Sequence, residues 1–146
     1  MSEPVHKSSP PCAVLLVQHD RARLERLVTD LRQFGVDAHG VQSFEGGREQ
    51  LVRRRWNVLV ADVRLAAFNG LQLAVRVRAT QPSVVVIMTD GDEDPALEVE
   101  AARLSAHYVP HATVDVITML VLTACGCMPS VNLDTTSTDD SVGAGV

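Results

Sequence analysis

Apolar and polar residues alternate along this chain in blocks that predict five strand–helix units. Short apolar runs typical of buried strands occur at 13–17 (AVLLV), 36–41, 57–62 (NVLVAD), 83–89 (SVVVIMT) and 107–110 (HYVP). Segments with helical spacing follow them at 21–34, 44–55, 70–80, 95–104 and 113–125. Short connections between such units predict an α/β three-layer sandwich, in which five helices cover both faces of a five-stranded parallel sheet.

Local signals refine two of these helices. In the first helix, the spacing predicts one inward face, made of Leu24, Leu27, Val28, Leu31 and Phe34. Asp20 is a plausible N-cap for this helix, and Gly35 is a plausible stop. In the second helix, Leu51 and Val52 are expected to point inward.

Length and composition favour one domain. The chain has 146 residues, of which 46% are hydrophobic but only 3% aromatic, so the core must be built from aliphatic side chains. We predict a flexible N-terminal segment at 1–11, a domain at 12–126 and a disordered tail at 127–146, because the tail is poor in large apolar residues. Such a tail is too short for a separate output domain.

Charge and hydropathy narrow the class of partner. A net charge of -5 argues against a nucleic-acid binder, which usually has a basic face. The apolar stretch at 114–125 is shorter than the ~20 residues needed to cross a bilayer. No secretory signal is recognisable at the N-terminus, so we expect a cytoplasmic protein that acts through other proteins.

The three cysteines form no regular framework. Cys12, Cys125 and Cys127 are odd in number and unevenly spaced, which predicts free thiols in a reducing compartment. A metal site at Cys125-Gly-Cys127 remains the weaker alternative, because no second pair of ligands lies at zinc spacing.

Polar residues cluster where the predicted strands end. Gln18 and His19 follow the first strand, Asp62 and Thr89 end the third and fourth, and His111 follows the fifth. Parallel strands bring their carboxyl ends to one edge of the sheet, so these side chains should lie together.

With the segment ADVRLAAFNG around Asp62, this pattern resembles the receiver domain of two-component response regulators, which has the flavodoxin-like fold of the chemotaxis regulator CheY. The resemblance covers about 13–125. It implies that Asp62 occupies the phosphoacceptor position, Thr89 the switch hydroxyl and Tyr108 the switch aromatic. It therefore implies a signalling module that is not an enzyme.

The same resemblance shows three altered positions. Gln18 and His19 stand where the family has its pair of metal-binding acids, and His111 stands where it has a lysine. An amide and an imidazole are poor ligands for Mg²⁺, so we expect no cofactor beyond a weak Mg²⁺ site at Asp62. The only lysine of the chain is Lys7, which lies in the predicted flexible segment. A neutral His111 cannot supply the positive charge of the family's lysine at pH 7.

We therefore expect a degenerate receiver that is weakly or not phosphorylated at Asp62. The alternative is a functional phosphoacceptor that a histidine kinase phosphorylates on Asp62. Asp20 could compensate for a missing acid, although an N-cap role is the more ordinary interpretation. A third idea is that His19 and His111 sense pH or bind a softer metal.

The fifth helix suggests where partners bind. The segment VDVITMLVLTAC is apolar nearly all round, so part of it should be exposed in a monomer. The expected partners are a histidine kinase or a downstream regulator, with a possible homodimer through the fourth and fifth helices. A nucleotide- or flavin-binding enzyme on the same fold is disfavoured, because the loop QHDRARLER lacks phosphate-binding glycines.

Overall fold

The computed structural model describes residues 10–127, and they form a doubly wound sheet between helices. The strands of the main sheet are β1 (Ala13–Val17), β2 (Asp37–Val41), β3 (Val58–Asp62), β6 (Val85–Asp90) and β7 (Ala106–Pro110). Their order is β2-β1-β3-β6-β7, and every pairing is parallel. Between β3 and the third helix lies a two-stranded hairpin of β4 (Arg64–Leu65) and β5 (Phe68–Asn69).

Five helices cover the sheet. They are α1 (Arg21–Gln33), α2 (Phe44–Arg53), α3 (Leu71–Thr80), α4 (Pro95–Arg103) and α5 (Val114–Ala124). α1 and α5 pack on one face, and α2, α3 and α4 pack on the other. The predicted three-layer, flavodoxin-like fold is confirmed.

Successive side chains of each strand point to opposite faces of the sheet, so one strand contributes to two core layers. Leu15 and Val17 of β1 face α2 and α3, whereas Val14 and Leu16 face α1 and α5. All four side chains are fully buried. A strand that is apolar on both sides suits a central position covered by helices, which is where β1 lies.

Helix starts follow ordinary capping chemistry. Asp20 accepts a hydrogen bond from the Arg23 backbone N at 3.2 Å, so its predicted N-cap role is confirmed. Thr113 caps α5 in the same way by accepting from the Val116 backbone N.

Two predicted core positions are wrong. Val52 is 79% exposed and Phe34 is 55% exposed. In α2 the inward face passes through Gly47 and Leu51, one helical turn apart, and Val52 lies a further ~100° around the helix. Phe34 follows the last residue of α1 as its C-cap, where the helical spacing no longer holds.

The prediction that the cysteines are free thiols is wrong for two of them. Cys12 and Cys125 form a disulfide across a sequence separation of 113 residues, and Cys127 is a free, exposed thiol. Sequence spacing could not reveal this pairing, because the fold alone brings the residue before β1 next to the end of α5.

Parts of the sequence predictions lie outside the described residues. Most of the predicted flexible segment 1–11 and all of the predicted disordered tail after Cys127 belong to that part. Within the described residues, no helix is both long enough and apolar enough to span a membrane.

Candidate functional site

The carboxyl edge of the sheet gathers most of the predicted site. Asp62, the last residue of β3, pairs in register with Thr89 of β6. Gln18 directly follows β1, the other neighbour of β3. A shallow pocket of about 210 Å³ lies at this edge, and Asp62, Thr89 and His19 contribute to its lining. The strand ends thus bring these residues together as expected.

Both carboxylate oxygens of Asp62 already have hydrogen-bond donors. The Thr89 hydroxyl donates to Oδ1 at 2.6 Å, and the backbone N–H of His19 donates to Oδ2 at 2.8 Å. Both donors are neutral groups. The acceptor-position carboxylate is therefore held in place within the fold by its own neighbours.

Gln18 supports the hydrogen bond between Thr89 and Asp62 from the buried side. Its side chain is fully buried, and its Nε2 lies 3.2 Å from both the Thr89 hydroxyl oxygen and the Val17 carbonyl oxygen, to which it donates. A hydroxyl that accepts from Gln18 is free to donate its hydrogen to Asp62. Gln18, Thr89 and Asp62 thus form one hydrogen-bonded chain, which we call the Gln18 relay. Oε1 of Gln18 is buried without a partner among the described residues.

A second carboxylate lies one residue beyond Thr89. The Asp90 side chain is fully buried, and it accepts from Arg64 Nε at 3.0 Å and from the Tyr108 hydroxyl at 2.7 Å. Burial by itself raises the pKa of Asp90, but the hydrogen bonds from Tyr108 and Arg64 outweigh burial and hold this pKa below its usual value. Asp90 is therefore a fixed negative charge at this edge.

Tyr108 is held by the same group of residues. Its hydroxyl donates to Asp90 and accepts from the Asp94 backbone N–H at 3.0 Å. Burial, followed by the hydrogen bond to Asp90, raises the pKa of Tyr108 to about 12. We call Asp90, Tyr108 and Arg64 the Asp90 cluster. It fixes the predicted switch aromatic through its polar end.

Sequence reasoning missed Asp90 and Arg64. Asp90 directly follows Thr89 at the end of a buried strand, and this position was a signal that could have been used. Arg64 belongs to the unpredicted hairpin, whose β5 strand packs on α2 through stacked Phe68 and Phe44 rings 5.0 Å apart. The hairpin sets the direction of Arg64, so the sequence pattern alone could not place it.

His111, at the position of the family's lysine, does not join the other predicted site residues at the pocket. His111 is exposed, has a positive φ of 54°, and contributes its backbone N–H to the Asp90 carbonyl at 2.8 Å. Its imidazole is not among the described groups that line the pocket. Arg23 of α1 does line the pocket, and its Nη2 donates to the Ala112 carbonyl at 2.6 Å.

The residues at this edge fit Mg²⁺ poorly. The ion needs several oxygen ligands, yet both oxygens of Asp62 accept hydrogen bonds and the Asp20 carboxylate caps α1. Arg23 and Arg64 line the same pocket, and their positive charges offset part of the negative charge that Asp20, Asp62 and Asp90 would offer a cation. Among the residues that the structure describes, no three His, Cys, Asp or Glu side chains are grouped as metal ligands. The idea of a softer metal at His19 and His111 stays a prediction.

Gly70 fixes the backbone around the acceptor position. Its N–H donates to the Val63 carbonyl at 2.7 Å, and a Cβ at this position would collide with the carbonyl oxygen of Asp62. The Asn69 side chain accepts from the Leu71 backbone N at 2.8 Å, which supports the turn into α3. Only glycine therefore allows the turn to pass so close to the end of β3.

A parallel doubly wound sheet with a carboxylate and a hydroxyl paired at its carboxyl edge defines a receiver-type signalling domain. The family model "Response regulator receiver domain" matches residues 14–118, so the chain belongs to the response regulator receiver family. Domains of this family work in two-component signalling, generally as non-enzymatic modules that contact kinases and downstream effectors.

Solved structures support the same fold at low identity. A CheY-like receiver domain from Methanospirillum hungatei JF-1 is 17% identical, with a TM-score of 0.72 over 81% of this chain and 97% of that chain. An orphan response regulator of H. pylori is 18% identical, with a TM-score of 0.70 over 80% of this chain and 99% of that chain. No curated protein matches the sequence.

Proposed function

We propose that this protein is a degenerate receiver, which acts through protein contacts and does not depend on phosphorylation of Asp62. The observation that carries the proposal is that both carboxylate oxygens of Asp62 are already hydrogen-bonded, one through the Gln18 relay and the other by the His19 backbone N–H. A phosphoryl group must be attacked by a carboxylate oxygen of Asp62, and both oxygens accept hydrogen bonds at 2.6 and 2.8 Å. These bonds withdraw electron density from the attacking oxygen and so weaken it as a nucleophile.

Charge at the site supports the same proposal. Gln18 and His19 provide no carboxylate to bind Mg²⁺, and the Arg64 guanidinium is already paired with Asp90. Loss of a carboxylate beside a cation removes ~1 to 4 kcal/mol of attraction at ordinary effective dielectric. A phosphorylated Asp62 would therefore lack Mg²⁺ and an ammonium group, and the two guanidinium groups at the pocket already have partners, Asp90 for Arg64 and the Ala112 carbonyl for Arg23.

The Asp90 cluster supplies what phosphorylation would otherwise provide. In receivers, the resemblance implies that phosphorylation draws the switch hydroxyl and the lysine onto new oxygens, and that the switch aromatic rotates. Here Thr89 donates to Asp62 and Tyr108 donates to Asp90 through groups of the chain itself. The proposed function follows from this: the switch residues are held in one arrangement by permanent side chains.

The alternative function is a phosphoacceptor receiver, and one observation favours it. Asp62 is only partly buried and lines an open pocket into which Arg23 and Arg64 also project. Guanidinium groups bind phosphoryl oxygens well. A released Arg64 could then replace the missing lysine.

Acetyl phosphate separates the two functions. We expect the protein to stay at its unmodified mass after incubation with acetyl phosphate and Mg²⁺, as measured by intact-mass spectrometry. A matched variant carrying Gln18→Asp, His19→Asp and His111→Lys is expected to gain a phosphoryl adduct, because it regains the acids and the ammonium group.

Adding Asp62→Ala to that variant should abolish the adduct and so locate it. If the unaltered chain gains an adduct that disappears in Asp62→Ala, the degenerate function is wrong and the phosphoacceptor function replaces it.

A homodimer through α4 and α5 is part of the proposal. On α5, Val116 and Met119 are 41% and 52% exposed, and Leu120 borders an apolar groove of about 480 Å³ against β7. On α4, Val99 is 52% exposed. Exposed apolar side chains on adjacent elements suit a protein interface. Light scattering with Met119→Glu tests this point, because a dimer through this face should dissociate.

A cytoplasmic location completes the proposal and is supported by family membership. This location affects the redox state expected for the cysteines, because the cytoplasm keeps most protein thiols reduced.

A further inference from the structure

The three cysteines meet at one corner of the molecule, away from the Asp62 pocket. Cys12 directly precedes β1, and Cys125 is the C-cap of α5. Their Cα atoms are 5.7 Å apart, a normal spacing for a disulfide, and the two side chains are bonded. Cys127 is exposed two residues further on.

The end of α5 is shaped so that Cys125 and Cys127 lie side by side. Gly126 has a φ of +71°, its N–H donates to the Thr123 carbonyl, and the Cys127 N–H donates to the Leu122 carbonyl. This pair of bonds is the Schellman motif, which reverses the chain after a helix. The reversal leaves the Cys127 Sγ 3.8 Å from the Cys125 carbonyl oxygen.

We propose that Cys12 and Cys125 form a reversible redox clamp, which fixes the end of α5 to the start of β1 under oxidising conditions. The rest of the core does not need this bond, because Ile117, Val121 and Leu122 already bury α5 against the sheet. Opening the clamp therefore loosens the C-terminal turn of α5 without unfolding the domain.

Reversibility follows from exposure and location. Cys12 and Cys125 are both partly exposed, so a small thiol can reach the bond. Disulfides in cytoplasmic proteins are usually transient, catalytic or redox-sensing, and this step rests on the proposed cytoplasmic location. The clamp does not depend on the state of Asp62, so it stands or falls separately from the degenerate-receiver function.

The chemistry is a two-electron exchange. Closing the clamp joins the two sulfur atoms, and Cys12 and Cys125 together lose two protons and two electrons. A low-molecular-weight disulfide accepts them and becomes two thiols. Two thiols acting in the reverse direction open the clamp and leave as a disulfide.

The clamp has a functional consequence for α5. Met119 and Leu120 of this helix are exposed, and they belong to the face proposed for partner binding. Thr123 and Ala124 of the last turn line the apolar groove against β7 together with Leu120, so a fixed turn keeps this groove formed and a released turn disrupts it. Oxidation would thus regulate how α5 meets a partner.

Thiol counting across a series of oxidised-to-reduced glutathione ratios tests the clamp on the full chain. Alkylation followed by intact-mass spectrometry should label one cysteine at the oxidising end and three at the reducing end. Hydrogen exchange should follow the same transition, with amides in the last turn of α5 exchanging about tenfold faster in the reduced protein while β3 stays unchanged.

Two variants make the result specific. Cys127→Ser should keep the transition, with no labelled cysteine when oxidised and two when reduced. Cys12→Ser should show fast exchange at the end of α5 at every ratio. If Cys12→Ser does not fold, reduced and alkylated native protein serves the same purpose.

Three results would overturn the proposal. Three labelled cysteines at every ratio would mean that no clamp forms, and one labelled cysteine at every ratio would mean a permanent disulfide. Equal exchange of α5 in both redox states would show that the bond does not control the helix.

Discussion

Two carboxylates end adjacent strands of this sheet, and they have opposite surroundings. Asp62 ends β3, is partly exposed, and is held by two neutral donors, the Thr89 hydroxyl and the His19 backbone. Asp90 ends β6, is buried, and is held by a cation and a phenol, Arg64 and Tyr108. The comparison shows that the carboxylate held by a cation at this edge is Asp90, one residue beyond the switch hydroxyl, whereas the carboxylate at the acceptor position has only neutral donors.

Replacing Asp90 should give the largest effect on stability. Asp90→Ala removes the hydrogen bonds from Arg64 and Tyr108, and we expect it to lower the free energy of unfolding by about 2–3 kcal/mol, since hydrogen bonds to charged groups are stronger than neutral ones. Urea unfolding measures this loss through the fluorescence of buried Trp56, the only tryptophan.

The loss of stability at acid pH tests the role of Asp90 in a second way. Because the pKa of Asp90 is lowered by folding, its contribution to stability is complete above about pH 3.8 and disappears as the pH falls through the folded-state pKa. Asp90→Asn should weaken this acid dependence. An unchanged acid dependence would mean that Asp90 is not the fixed charge of this edge.

Ionisation of Tyr108 should give the next largest effect on stability, at alkaline pH. Its pKa is raised from 10.0 to about 12, so its contribution to stability is complete below pH 10 and is lost as the pH rises toward 12. Since Tyr108 is the only tyrosine, the ultraviolet absorbance of tyrosinate reports this one group. We expect a midpoint near 12 in the folded protein.

Asp90→Asn is the matched variant for this titration, because it removes the charge and keeps the size of the side chain. The midpoint should then fall below 12 but stay above 10, because burial, the first cause of the raised pKa, persists. Circular dichroism at each pH shows whether the protein is still folded. A midpoint near 10 in the unaltered, folded chain would contradict the Asp90 cluster.

Replacing Asp62 should give the smallest effect. Asp62→Ala removes two hydrogen bonds at a partly exposed site, where water can take the place of the carboxylate, so we expect a loss of about 1 kcal/mol or less in the free energy of unfolding. The same urea experiment ranks it against Asp90→Ala. A larger loss for Asp62 than for Asp90 would reverse the comparison between the two carboxylates.

The sequence could predict the fold because its signals are local. The apolar run Val14–Val17 and its helical successor are readable without knowing any neighbour, and so is the N-cap at Asp20. Parallel topology then brings Gln18, Asp62 and Thr89 to one edge, whichever helices lie between them. That part of the site was therefore within reach of sequence reasoning.

The remaining features depend on contacts between distant segments. Arg64 reaches Asp90 because the two-stranded hairpin of β4 and β5 sets its direction, and Cys12 meets Cys125 because the start of the first strand lies beside the end of the last helix. The side-chain directions in such contacts are set by packing. Residue type and spacing alone do not encode them, which is also why the outward direction of Val52 was missed.

Gly70 limits which substitutions the loop beside this pocket tolerates. The side chain of His19 is exposed and can be exchanged without moving the main chain, so part of the chemical character of the edge is open to variation. A single methyl group at Gly70 would instead push the loop off the end of β3. Any library designed to restore or redirect the pocket can randomise its walls, provided that this one position is left unmutated.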